Sequence, residues 1–500
     1  MTHLKYTFVL CILMCLSISC TNNPQPQPNI LFILIDDLGK EWISGYGAED
    51  VATPAIDKLA KTGMLFENAY SMPQCTPTRV SLLTGQYPWR NGWVNHYDVP
   101  RWGHGGRFDP ELNPSFGKNL REAGYKTCIA GKWQINDFRL EPDATVLAGF
   151  DEYCMWTGGE GGGTSQKTSQ YRYWNPYIHT KNGSKTYEGQ FGPDIYTDFI
   201  IDFMKRNKDN PMMIYFPMCL THGPLTTTPA WPDAPKEKQH IAMVEYTDIL
   251  LGRLVETLDD LEIRDNTVII WTTDNGTGQG IIGKRNDRYV RGGKMKTSEN
   301  GINAPFIVNW PGTISEGIVT DALVDFTDML PTFCELAGAQ MDKNYTYDGI
   351  SFAPLIQGKK QDSDRKTIMS MGGHFAMLKN DRISSTFTFR DRVIRDKNYK
   401  AYIDTNGQIT EIIDFKSDFD ELNNLINSDD KEIIAAKRKF QLVLDRLPKK
   451  DASPIYRQID APFYNHPAED LNKAARSGMK ASKKSEPVTE EEYLKKKEKW

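Results

Sequence analysis

Four places in this 500-residue chain set hard oxygen or basic side chains just past a short apolar run: Asp36-Asp37, Gly131-Lys132-Trp133, Thr221-His222 and Asp274-Asn275-Gly276. Adjacent aspartates on their own read as a turn or a helix cap. A second pair, Asp274-Asn275, in the same setting changes that reading. Four oxygen donors with no His or Cys beside them suit Ca2+, or less well Mg2+, rather than zinc. Asp36, Asp37, Asp274 and Asn275 are therefore candidate metal ligands. Lys132 and His222 would supply fixed charge and a transferable proton next to that ion, which is the chemistry of a metal-assisted anion site.

A sheet must bring these residues together. The runs Ile30 to Ile35, Lys126 to Ala130, Met212 to Phe216, Thr267 to Trp271 and Pro305 to Val308 are apolar without alternation, as strands buried on both faces of a parallel sheet require. Helical spacing lies between them. One helix is expected over Ala55 to Thr62, with Thr53 as N-cap, Pro54 in the first turn and Gly63 as its stop, and another over Val244 to Leu261. Strands alternating with helices give a layered α/β fold, a large mixed and mostly parallel sheet sandwiched by helices. In such a sheet ligands bind beyond the carboxyl ends of the strands, where all four motifs would fall.

Past Gly358 the texture changes. Short alternating pieces at Tyr399 to Ile403 and Glu411 to Phe415, followed by a helix near Lys431 to Leu447, predict a smaller α+β subdomain with an antiparallel sheet. The expected division is residues 29–370 for the large domain, 371–467 for the subdomain and 468–500 for a charged tail. That tail, rich in Lys, Glu, Ala and Ser, is expected to be a frayed helix or disordered, with no chemistry of its own.

Cys75-Thr76-Pro77-Thr78-Arg79, running on to Leu83-Thr84-Gly85, resembles the sulfatase signature. Further ordered matches extend from Asn29 to Leu425: Asp-Asp, Gly-Lys-Trp, Thr-His-Gly-Pro, Asp-Asn-Gly, Arg291-Gly292-Gly293-Lys294, Asn300-Gly301, Asp348-Gly349-Ile350-Ser351 and Asn423-Asn424-Leu425. The resemblance implies an alkaline-phosphatase-like fold and a sulfuric ester hydrolase. It also implies that Cys75 is oxidised to formylglycine by a formylglycine-generating or anaerobic sulfatase-maturating enzyme, and that residue 75 joins the ligands of one Ca2+. The hydrated aldehyde has a second hydroxyl that can expel sulfate, which a plain serine or cysteine lacks. Carried over by position, Arg79 steadies the formylglycine, Lys132 and Lys294 hold sulfate oxygens, and His222 stands near the leaving oxygen. Helix residues Pro77 to Leu83 begin just after Cys75, so the helix dipole would also favour an anion there.

One position departs from the family. Gly131-Lys132-Trp133-Gln134 has glutamine where a histidine usually serves as base, and an amide cannot take a proton at physiological pH. Gln134, His96, His104, His374 and Arg291 are candidate substrate-pocket residues, the histidines being also candidate replacements for that base. Aromatic residues from Tyr87 to Arg107 and from Trp156 to Tyr177 suit stacking on sugar rings, although they could equally pack a cleft wall, and point to a sulfated glycan as substrate. The alternatives are a phosphatase or phosphonate monoester hydrolase of the same superfamily, or an idle glycan-binding lipoprotein.

The net charge of −5 gives no electrostatic reason to expect nucleic acid or an anionic membrane as partner. Lys5, the apolar run Tyr6 to Ile18 and Ser19-Cys20 read as an export signal of lipoprotein type, residues 1–19, followed by a Pro-rich linker over 20–28. The run is short for a membrane span, so the expected membrane link is a lipid on Cys20, on the periplasmic or outer face of a bacterium. Cys128, Cys154, Cys219 and Cys334 read as buried free thiols.

Overall fold

The structure, a computed structural model, describes residues 27–94, 107–157, 172–372, 376–379, 382–385, 388–459 and 484–498. Twelve strands occupy the first part of the chain: β1 (Asn29–Ile35), β2 (Met64–Tyr70), β3 (Lys126–Lys132), β4 (Glu152–Trp156), β5 (Tyr177–Thr180), β6 (Gly183–Thr186), β7 (Met212–Pro217), β8 (Thr267–Thr273), β9 (Ile282–Arg285), β10 (Arg288–Arg291), β11 (Phe306–Asn309) and β12 (Ile318–Asp325). Ten of them form one sheet in the order β12-β2-β11-β8-β1-β7-β3-β4-β5-β6, while β9 and β10 pair as a separate hairpin. The centre, β8-β1-β7-β3-β4, is parallel throughout.

Continuous apolarity in β1 has a direct structural cause. Ile30, Phe32 and Leu34 enter one core, with Val80, Leu82 and Leu83 of α2 (Cys75–Thr84) and Met329, Leu330 and Phe333 of a helix at Met329–Ala337. Leu31, Ile33 and Ile35 enter the opposite core, with Ile56 and Leu59 of α1 (Pro54–Lys61) and Val244, Leu250 and Leu254 of a helix at Gln239–Asp260. Each such side chain contributes about 1.5–3 kcal/mol by leaving water. All five expected runs are strands, but β11 is antiparallel to both β8 and β2. Its Phe306 and Val308 face one core and Ile307 the other, so apolarity reported two-sided burial and carried no information on direction.

α1 begins at Pro54 as expected, but Thr53 makes no side-chain cap bond. Asp248 caps from the neighbouring helix, accepting from the backbone N–H of Ala55 (3.1 Å) and Ile56 (2.8 Å). Gly63 is not a left-handed stop; a Cβ there would lie 2.5 Å from the Val308 carbonyl oxygen, so glycine permits the approach to β11.

The smaller sheet comprises β13 (Ile368–Met371), β16 (Arg392–Arg395), β17 (Tyr399–Ile403) and β18 (Ile409–Asp414), antiparallel in that order, with a two-stranded ribbon of β14 (Ala376–Lys379) and β15 (Arg382–Ser385). The helix α3 (Lys431–Leu444) packs Ile433, Ala436 and Phe440 against Ile394, Ala401 and Ile412. The expected boundary at residue 370 falls inside β13, whose pairing with β16 places it in the small sheet. Arg365 binds Asp328 (Nε at 2.8 Å), and Lys400 binds Glu421 (3.0 Å) and Glu299 (3.5 Å), tying the two sheets through buried ion pairs. Of the expected tail, residues 484–498 are described, and they take the helical one of the two expected states but pack against the large domain. Glu490–Lys497 form a helix, α4, capped by Thr489, with three glutamates in its first turn and three lysines in its last, and Tyr493 is buried.

Because Asp248 satisfies two otherwise unpaired N–H groups of α1, Asp248→Ala should lower unfolding stability by about 1–2 kcal/mol. Denaturant titration of the two proteins checks this.

Candidate active site

Parallel pairing sets Ile35 of β1 opposite Thr273 of β8, so the residues that follow, Asp36-Asp37 and Asp274-Asn275, leave the sheet side by side. Asp37 turns into the left-handed region (φ 61°), and its N–H binds Asp274 Oδ1 at 3.1 Å. Asn275 donates to Asp37 Oδ1 at 2.8 Å. Asp36, Asp274 and Asn275 are fully buried.

Three cations from other elements meet these carboxylates. Lys132, the last residue of β3, places Nζ 2.6 Å from Asp36 Oδ2. Gly131 before it has φ 117°, and a Cβ there would lie 2.1 Å from the Pro217 carbonyl oxygen, so glycine is required where β3 passes β7. Lys294 places Nζ 2.6 Å from Asp37 Oδ2. Arg79, one turn into α2, binds Asp274 Oδ2 through Nε (3.1 Å) and Nη2 (2.6 Å) and the Lys132 carbonyl through Nη1 (3.1 Å).

Cys75 is the first residue of α2, whose ten residues are all buried. The hydroxyl of Thr78 holds that helix start in place: it lies 2.8 Å from the Asp274 carbonyl oxygen, 2.9 Å from that of Gln74, and accepts the Met72 N–H at 3.1 Å. Cys75 Sγ, Asp36 and Asp274 can offer ligand atoms within 4.8 Å of one another, and so can Asp36, Asp37 and His222. Gln134, itself left-handed at φ 62°, presents Oε1 3.5 Å from Cys75 Sγ. It therefore stands beside the expected nucleophile.

His222 Nε2 is 3.7 Å from Asp37 Oδ2, and Nδ1 is 2.6 Å from the Gly223 carbonyl oxygen, to which it donates in the tautomer that leaves Nε2 unprotonated. Burial and then Lys294 push its pKa down to about 3, against the pull of Asp37 and Asp36, so the ring is neutral near pH 7. Tyr173 fixes this loop through its hydroxyl, 2.7 Å from the Cys219 carbonyl and 2.6 Å from that of His222. Neither Thr78 nor Tyr173 was expected from sequence in these roles; the threonine lay inside the signature, and the tyrosine lay in the second aromatic cluster, read there as a sugar-stacking or cleft-wall residue.

Burial would raise the pKa of Asp36, but Lys132, His222, Arg79 and Lys294 hold it far below the carboxylate range; Asp37 is lowered in the same way, Lys294 being its main counter-charge. Asp274 is different. Burial and the neighbouring Asp36 push it up to about 7, despite Arg79. Asp36 Oδ1 and Asn275 Oδ1 are buried with no hydrogen-bond partner among the described residues. Orphaned hard oxygens beside an under-compensated carboxylate are what a bound divalent cation would satisfy, so Asp36, Asp37, Asp274 and Asn275 fit such an ion.

Other expected pocket residues are placed elsewhere. Arg291 Nη2 is paired with Glu492 of α4, 2.7 Å from both carboxylate oxygens. His96, His104 and His374 lie outside the described residues, as does Cys20. Of the aromatic clusters, Trp93, Trp156 and Tyr173 are buried in the two main cores, and Arg172 stacks 4.2 Å over Trp156. Those three pack walls and are not open to a sugar ring.

Residues 28–339 match the family described as Sulfatase. The chain belongs to the sulfatase family. Its members are sulfuric ester hydrolases that typically use formylglycine and a metal ion. Residues 293–447 of this sulfatase match a second description, N-sulphoglucosamine sulphohydrolase, C-terminal. It is 32% identical over 363 residues to N-acetylgalactosamine-6-sulfatase of Homo sapiens, spanning 68% of this chain and 67% of that protein. It is 27% identical over 394 residues to an ulvan-active sulfatase of Formosa agariphila, spanning 75% and 65% respectively. The crystal structure of Ps i-CgsB in complex with k-i-k-neocarrahexaose, 24% identical, shares the fold with a TM-score of 0.71 over 91% of this chain and 98% of that one.

The pKa shifts set the sign of a metal titration. In the metal-free protein Asp274, raised to about 7, contributes stability at low pH that is lost as pH rises through 7, while Asp36 and Asp37, both lowered, lose theirs only as pH falls. A cation must displace the Asp274 proton. Calcium affinity should therefore increase from about pH 6 to 8, with protons released on binding at the acid end, and Asn275→Ala should weaken it. Calorimetry in buffers of different ionisation heat measures both.

Proposed function

We propose that this sulfatase cleaves a sulfate ester on a sulfated carbohydrate, with residue 75 as formylglycine and one Ca2+ held by Asp36, Asp37, Asp274, Asn275 and residue 75. The observation that carries the reading is the position of Cys75: first residue of a buried helix, close to Asp36 and Asp274, with Gln134 beside it. Formylglycine there would supply a geminal diol, one hydroxyl for attack on sulfur and a second whose proton loss expels sulfate, and an ion held by Asp36, Asp37, Asp274 and Asn275 would supply charge that lowers the diol pKa.

The chain's own residues do the rest. Arg79, locked between Asp274 and the Lys132 carbonyl, braces the helix start that carries residue 75. Lys132 and Lys294 hold sulfate oxygens, offsetting charge on the transferring group with ammoniums that are already in place. His222, neutral with Nε2 toward the site, takes up a proton when the anionic ester binds beside it and gives it to the departing alkoxide. Gln134 accepts a hydrogen bond from residue 75 but cannot take its proton, so the elimination step needs another base or proceeds through water.

A carbohydrate substrate draws support from the relatives, which include an N-acetylgalactosamine-6-sulfatase and an ulvan-active sulfatase, and from a structural neighbour bound to a neocarrahexaose. The leader supports export, with a lipid on Cys20.

Peptide mass spectrometry across Ser71 to Arg79 should give an aldehyde-sized mass at residue 75, and the protein should release sulfate from a panel of sulfated oligosaccharides faster than phosphate from matched esters. An unmodified thiol with no turnover would overturn the reading, as would equal activity in Cys75→Ala. Lys132→Ala and Lys294→Ala should each lower kcat by ~10²–10³, the effect of removing one fixed stabiliser of transferring charge. Because glutamine does not titrate, the wild-type kcat profile should lack a limb from residue 134 that Gln134→His introduces near pH 6–7, in the ordinary histidine range.

A further inference from the structure

Lys294 sits on a short segment with little secondary structure of its own, between β10 and Glu299–Ile302. Its inner side is fixed by the core of the enzyme. The Lys294 N–H binds the Thr277 carbonyl (3.0 Å), Met295 N–H binds Pro73 (2.7 Å), Gly292 N–H binds Ile281 (2.9 Å), and Gln279 reaches the Lys294 carbonyl (2.7 Å). A Cβ on Gly292 or Gly293 would lie 2.3–2.4 Å from the nearest backbone of residues 278 and 300. The segment is thus wedged between residues 277–281 and 298–301.

Its outer side is covered by the C-terminus. Glu492 of α4 pairs with Arg291, three residues before Lys294. Ser485 lies 3.0 Å from both Ser298 Oγ and Asn300 Oδ1, and the Asn300 amide in turn donates to the Arg291 carbonyl. Lys496 donates to the Gly280 carbonyl. Tyr493, only 2% exposed, packs its ring at a tilt against Tyr289 of β10 (4.7 Å between ring centres) and donates to Asp50 (2.6 Å). Lys484 reaches Glu411 and the Glu421 carbonyl, so the same stretch also grips the small sheet. These contacts converge on both walls of the wedge that holds Lys294. A tail merely resting on the surface would have no reason to do so.

We propose that residues 484–498 are a clamp that positions Lys294, and that Arg291 serves as the clamp's anchor and makes no contact with substrate. The catalytic consequence rests on the sulfate-holding role of Lys294 given above; the positional consequence does not. A Lys294 released from its wedge leaves Asp37, loses its fixed direction toward the transferring group and becomes more open to solvent.

The test uses the full chain with Glu492→Arg, Arg291→Glu, the double swap, Glu492→Asp and Tyr493→Ala, each checked for an unchanged unfolding transition. Two readouts are taken: the rate at which an amine-acylating reagent labels Lys294, followed by peptide mass spectrometry, and kcat, KM and inhibition by inorganic sulfate. Glu492→Arg and Tyr493→Ala should label Lys294 several-fold faster, lower kcat by about tenfold, as loss of alignment at one charged contact does, and weaken sulfate inhibition. Glu492→Asp and the charge swap should return both readouts toward wild type. Unchanged labelling in Glu492→Arg and Tyr493→Ala overturns the clamp whether or not the wild type turns over a sulfate ester. Failure of the swap to rescue, with KM rising whenever Arg291 is replaced, overturns the anchor role and returns Arg291 to the substrate. A wild type without sulfatase activity, in which the variants still expose Lys294, would count against the proposed reaction and leave the clamp standing.

Discussion

Asp36 and Asp274 are fully buried at the ends of adjacent parallel strands, and the register of β1 with β8 allows no other arrangement. Their ligand atoms lie within 4.8 Å of one another, and two unit negative charges that close repel by roughly 3–4 kcal/mol even at an effective dielectric constant near 20, while each also loses its hydration. That cost has to be met by fixed positive charge, which explains where the surrounding elements run. β3 lies parallel to β7 and ends at Lys132, on Asp36; α2 starts at the same edge and sends Arg79 to Asp274; the segment after β10 delivers Lys294 to Asp37. A sheet of this kind gathers chemistry at its carboxyl edge, and here the gathering is also an electrostatic requirement of the fold.

The same constraint orders α2. A helix buried on every side has no amphipathic face to orient it, so its start must be pinned by polar contacts. Thr78 and Arg79 do this from consecutive positions, the hydroxyl against the Asp274 backbone and the guanidinium against its carboxylate. Cys75 is thereby fixed relative to Asp274, itself one of the candidate metal ligands. The candidate nucleophile and the candidate ligand set are held by the same contacts.

Much of this was legible in the sequence because the central strands are buried on both faces, which leaves an unbroken apolar run ending abruptly in charge. Where a strand is one-sided or at an edge the signal disappears. β2 is interrupted by exposed Glu67, and the first half of β12 alternates half-buried with exposed residues such as Val319 before four buried ones, so neither was recognised, and the direction of β11 could not be read from apolarity. Caps supplied from another element were equally hidden: Thr53 looks like a cap by type, while the bonds come from Asp248, far along the chain. The tail was misjudged for a related reason. Among its described residues only Tyr493 is buried, and other contacts come from charges whose partners, Arg291, Glu411 and the Gly280 carbonyl, are invisible without tertiary structure.

The charge count is consistent with the proposal that the site takes two ligands of opposite sign. Asp36, Asp37 and Asp274 carry up to three negative charges, and Arg79, Lys132 and Lys294 carry three positive ones, so the ion-free site is close to neutral when all are ionised. Arg79 makes its bonds on the protein side and is committed to Asp274 and the backbone. Lys132 and Lys294, in contrast, each end on a carboxylate that is also a candidate metal ligand. A divalent cation shared by those carboxylates would leave both ammoniums in excess, and the single negative charge of a sulfate ester would then offset part of that excess. Each ligand therefore lowers the electrostatic cost of the other, and by linkage the coupling must be reciprocal. A site built from carboxylates alone would bind the cation and repel the ester; one built from lysines alone would bind the ester with nothing to polarise it. Interleaving the two sets at a single sheet edge is what lets a buried acidic cluster act on an anion.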